Sequence, residues 1–265
     1  MIPKSASKLA ALALCALILL ALCSACASPP QGALALRFNE DFDTDKYDGR
    51  EVTMRGYMST LSPLDGRFFY LMNLPYQVCP FCLPNTMTVV NTVTVYAPQG
   101  DRFGFDDRPI EVTGTFKAGE FTDEFGYQYP FVIENATYKV ADTNEMSENM
   151  KMYGSLAQDG IILEVMALSI RVDQNAFFGL LGLTENDIVK IDDAEFDALI
   201  RRVEAISKSA YTEFTDIIKD FKAFNKDVNA HIDIRDYAYN TSAEMEEQYF
   251  LLVDRLNAWL IKFEV

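Results

Sequence analysis

Three hydrophobic textures follow one another along the chain. Residues 9–22 are an uninterrupted apolar run. Between residues 48 and 140, short stretches rich in β-branched and aromatic side chains alternate with polar positions. They cover 51–58, 67–72, 88–96, 110–116 and 129–138, and turn-forming residues such as Asp65, Gly66, Gly100 and Gly126 separate them. Five runs of this kind predict five short strands in a compact Greek-key barrel or sandwich. Gly56 and Gly114 fall inside two of the runs, as expected where a strand bulges or turns a barrel corner.

Beyond Asn144 the period lengthens. Phe196, Leu199, Val203, Phe214, Ile217 and Phe221 recur at three- and four-residue steps behind an acidic start at Asp192. That stripe predicts one long amphipathic helix. Thr241 and Ser242 open another, with Met245, Leu256 and Trp259 on its buried side. A third helix is expected over about residues 156–178, ending near Gly179. Together they predict a helical hairpin or a three-helix bundle. The fold class expected is α+β: a five-stranded antiparallel barrel over 41–142, then an α-helical domain over 143–265.

The apolar run at the start has a different meaning. Lys4 and Lys8 precede it and small residues follow, which is the layout of a bacterial export signal. It is shorter than the roughly 20 residues that span a bilayer. Residues 1–25 are therefore read as a signal peptide, and 26–40 as a tether. The segment C-S-A-C at 23–26 resembles a lipobox, in which small residues precede a cysteine that becomes diacylated. The usual leucine of the first position is replaced by Cys23, with Leu22 one place earlier. The resemblance implies lipidation at Cys26, attachment to a membrane through that lipid, and residence in the bacterial cell envelope. Ordinary cleavage after Ala27 is the competing outcome.

Charge narrows the partners. With 39 acidic against 23 basic residues, the net charge is −16. Such a surface repels phosphate backbones and anionic lipid alike. Nucleic acid is excluded as a general partner, and membrane attachment falls to the lipid rather than to a basic face.

Four segments carry a family resemblance: D-G-R-E-V-T-M-R-G-Y-M (48–58), F-Y-L-M-N-L-P-Y-Q-V-C-P-F-C (69–82), P-I-E-V-T-G-T-F-K-A-G-E-F (109–121) and Y-P-F-V-I-E-N-A (129–136). In this order they resemble an uncharacterised family of exported bacterial lipoproteins with an OB-like barrel and a Cys-Pro-x-Cys loop. The match covers about residues 40–140. It implies an OB-like barrel and, since such proteins tend to occur beside transport machinery, an envelope or transporter protein as partner. OB barrels bind through one sheet face and its loops. Phe69, Leu71 and Tyr96 either contribute to such a face or fill the barrel core.

Cys79 and Cys82 are the only cysteines beyond the N-terminal segment. Three readings stay open. A thioredoxin-type centre needs a long helix behind the first thiol, and Pro84 with a β-rich run from Val89 leaves little room for one. A zinc site needs four ligands, and the pair supplies two, with His231, the sole histidine, as a third candidate. A local disulfide suits an oxidising compartment. No cofactor is otherwise expected.

Asp41, Asp43 and Asp45 begin like a calcium loop, but the sixth and twelfth places hold Lys46 and Val52, so the motif fails. No phosphate-binding glycine loop and no nucleophile elbow is present. The function expected is that of a non-enzymatic, lipid-anchored binding or accessory subunit. Metal binding through Cys79 and Cys82 is the alternative, and thiol–disulfide exchange a second.

Overall fold

A three-residue strand, Leu34–Leu36 (β1), precedes a one-turn helix, Thr44–Tyr47 (α1), and both arise outside the runs that alternation reveals. Then come Glu51–Met58 (β2), Phe68–Met72 (β3), Thr92–Tyr96 (β4), Ile110–Thr122 (β5) and Gln128–Val140 (β6). The computed structural model describes residues 32–38, 44–76, 91–178, 181, 184–236, 238 and 242–265. Within it, Leu34–Val265 form one compact unit.

β2 pairs antiparallel with both β3 and β5, β3 with β4, and β5 with β6, while β4 and β6 run parallel. The pairings of β2 to β6 thus form a cycle, with β1 added in parallel alongside β2. Period-two alternation places Val52, Met54, Phe69, Leu71, Val93, Val95, Ile110 and Val112 in one buried cluster.

The expectation of five antiparallel strands is corrected to six strands in a mixed sheet. Two physical reasons account for the difference. Alternation reports a strand but not its direction, and β6 meets β4 in parallel only after the β5–β6 hairpin has reversed the chain. β1, inside the segment expected to be a tether, is too short for a periodic signal. It forms by pairing with residues farther along the chain, Leu34 opposite Val52.

Two glycines permit close approach in the sheet. A Cβ on Gly56 would lie 2.6 Å from the Met72 carbonyl oxygen, and one on Gly114 would lie 2.7 Å from Cγ2 of Ile133. Gly114 sits at a register shift between β5 and β6, while Gly56 lies where β2 begins to pair with β3.

The C-terminal half holds five α-helices among the described residues: Glu148–Gln158 (α2), Ile161–Ala176 (α3), Asp193–Ser207 (α4), Thr212–Asp233 (α5) and Ala243–Leu260 (α6). The expected hairpin or three-helix layout is corrected accordingly. Gly160 takes a left-handed conformation, φ 69°, and divides the helix expected over 156–178. The long helix expected from Asp192 is divided at 208–211. There the buried Tyr211 donates its hydroxyl to the Met152 carbonyl at 3.1 Å and anchors the turn. Asp192 with Glu195 forms a capping box on α4, and on α6 the Ser242 side chain accepts the Met245 N–H.

The apolar stripes of these helices form a second buried cluster, in which the rings of Phe214 and Trp259 stack at 4.1 Å. Tyr57 of β2 belongs to this cluster rather than to the sheet's own. Its ring meets Tyr153 edge-on at 5.0 Å, and its hydroxyl donates to the Phe263 carbonyl at 2.6 Å. Tyr57 is thus one of the contacts that seat the helices on the sheet, together with the Val265 N–H, which donates to the Asn73 carbonyl at 3.0 Å.

Candidate binding groove

Side-chain alternation on β3 and β4 sets up two faces. Phe69 and Leu71 point into the core, 1% and 0% exposed, which settles their role as filling. Phe68, Tyr70 and Tyr96 lie on the opposite face. Phe68 and Tyr96 are cross-strand partners with ring centroids 5.1 Å apart, and Tyr70 stands edge-on to Phe68 at 5.5 Å.

The turn between β5 and β6 closes over this face, and Asp123 holds it there. One carboxylate oxygen accepts the N–H groups of Phe125 and Tyr127, which shapes the turn. The other accepts the Tyr70 hydroxyl at 2.7 Å, which ties the turn to β3. Burial, then the bond to Asp123, pushes the Tyr70 hydroxyl far above the ordinary phenol range, so it remains a donor. Glu124 pairs with Arg67, which also pairs with Asp65. The Phe125 ring stands 6.3 Å from Phe68 and is more than half exposed.

The chain after β4 forms the facing wall, where the Asp101 N–H donates to the Pro98 carbonyl at 3.0 Å. Between the two walls lies a groove of about 450 Å³, floored by Phe68 and Tyr96 and edged by Arg67, Arg102, Thr122 and Glu124. Its volume falls within the range of small-molecule sites. The Tyr96 and Tyr129 hydroxyls lie 3.3 Å apart, close enough for either to donate to the other.

No protein-family model matches the chain, and no curated protein sequence matches it.

Phe68, Asp123 and Phe125 were missed by sequence reasoning. Asp123 had a legible signal: an aspartate three places before Gly126 is a usual start for a turn closed by its own side chain. Phe68 and Tyr70 had none, because they are as apolar or aromatic as the core positions beside them.

The other expected site residues lie elsewhere. The signal segment, Cys26, Asp41, Asp43, Cys79, Cys82, Gly179 and Thr241 fall outside the described residues. His231, expected between helices, lies in the last turn of α5, with Nδ1 2.9 Å from the Asp227 carbonyl oxygen. Among the described residues, no group of three or more His, Cys, Asp or Glu side chains is placed to hold a metal ion. No helix among them is long and apolar enough to cross a membrane.

A second polar cluster lies where helices and sheet meet. Asp107 accepts the Tyr153 hydroxyl at 3.0 Å through Oδ1. Its Oδ2 and the Tyr76 hydroxyl are both enclosed, and neither has a well-formed hydrogen bond. Burial holds the Asp107 carboxyl above its ordinary range, against the pull of the Tyr76 and Tyr153 hydroxyls. Tyr76 takes a left-handed conformation, φ 54°, which is costly for a side chain of its size.

Proposed function

We propose that this chain is an exported, lipid-anchored protein of the bacterial cell envelope that acts as a binding or accessory subunit. In this reading β2 to β6 are an OB-like barrel, and the groove over β3 and β4 is its working surface. The single observation that carries the reading is the position of that groove. It lies on the face of the second and third strands of the cycle, beside the turn joining the fourth and fifth, where OB barrels take their ligands. The pairing order supports it, with the first strand of the cycle meeting both the second and the fourth. The signal-like segment and Cys26 supply the anchor.

Intact mass and fractionation of the full chain expressed in a bacterial host test the reading. The expected product is a membrane-bound chain beginning at a diacylated Cys26, with Cys26→Ser leaving the lipid off. A soluble chain beginning at Ser28, or an unprocessed chain in the cytoplasm, overturns the anchor.

A further inference from the structure

We propose that the groove binds a neutral saccharide chain of β-linked hexose or N-acetylhexosamine units. The inference rests on the reading of the chain as a binding protein and adds the ligand class. Three observations converge on it.

Three of the five charges that line the groove are engaged in ion pairs or carboxylate hydrogen bonds. Arg67 is held between Asp65 and Glu124, Arg102 donates to the Asp101 carbonyl, and Asp123 is occupied by Tyr70 and two backbone N–H groups. The other two, Asp101 and Arg102, are of opposite sign, so the groove favours no single ionic partner, and a net charge of −16 turns away the nucleic acids that OB barrels also bind.

Aromatic planes are offered to a ligand. Tyr96 is partly exposed on the groove floor, and beside the groove, at the hairpin tip, Phe125 and Tyr127 are 56% and 45% exposed, with the Phe125 ring 6.3 Å from that of Phe68. A β-linked sugar with equatorial hydroxyls has a flat face of C–H groups that packs on such rings. Hydroxyls lining the groove can both donate and accept, as sugar hydroxyls require: those of Tyr96 and Thr122.

Titration of the mature protein with chitotetraose and cellotetraose, followed by amide NMR, tests this. Tetralysine serves as the cationic comparison. Saccharide-induced shifts are expected at residues 66–68, 96–102 and 122–125, and Phe125→Ala is expected to weaken binding about tenfold. Phe125→Trp keeps an aromatic ring and should keep the affinity. No shifts with either saccharide, shifts with tetralysine alone, or equal affinity in Phe125→Ala overturns the inference. A membrane-anchored chain that ignores both saccharides leaves the envelope reading standing, whereas failure of anchoring counts against that reading alone.

Discussion

The Tyr153 hydroxyl donates to Oδ1 of Asp107 across 3.0 Å, joining α2 to the segment that leads into β5. Burial holds the Asp107 carboxyl above its ordinary value of 3.8, and the charge of Asp106 adds to the rise. A carboxyl raised in the folded state contributes stability that is complete below 3.8 and is lost as pH climbs through the raised value. Asp107→Asn cannot ionise. Urea unfolding across pH should therefore show the variant losing less stability than the wild type as pH rises through that window. Parallel curves for the two proteins would contradict this.

Tyr57 also ties the sheet to the helical half, through the Phe263 carbonyl. Tyr57→Phe keeps the ring against Tyr153 but leaves the Phe263 carbonyl without its donor. The expected cost is about 1–3 kcal/mol in chemical denaturation. Tyr138→Phe, which removes only a solvent-exposed bond to the Gly104 carbonyl, should change stability by less than about 0.5 kcal/mol. Equal effects would show that the Tyr57 bond contributes nothing special.

Gly56 leaves no room for a methyl group beside the Met72 carbonyl and the Leu71 side chain. Gly56→Ala should destabilise by about 1–3 kcal/mol. Gly104, with nothing within 4 Å of a Cβ, is the matched control, and Gly104→Ala should be close to neutral. Thermal unfolding of both variants measures the difference.

The strands with clear β-rich runs were legible in the sequence. The run at 51–58 coincides with β2, and Phe68–Met72 with the run at 67–72. The breaks between helices were less so. Gly160 offered a local signal inside the third helical pattern, but the turn at 208–211 has neither glycine nor proline, and the apolar period continues through it from Val203 to Phe214. That turn is set by Tyr211 reaching Met152, a contact 59 residues apart that no local pattern contains. The groove was hidden for the same reason, since Asp123 meets Tyr70 across 53 residues.

The most direct measurement places a photo-crosslinking residue at Phe125 of the full chain expressed in a living bacterial host and, as a control, at the exposed Ile234 just past the end of α5. Light should give a saccharide-containing adduct in the membrane fraction from position 125 and none from position 234. No adduct at 125, or the same adduct at both positions, would contradict a working groove on the β3–β4 face.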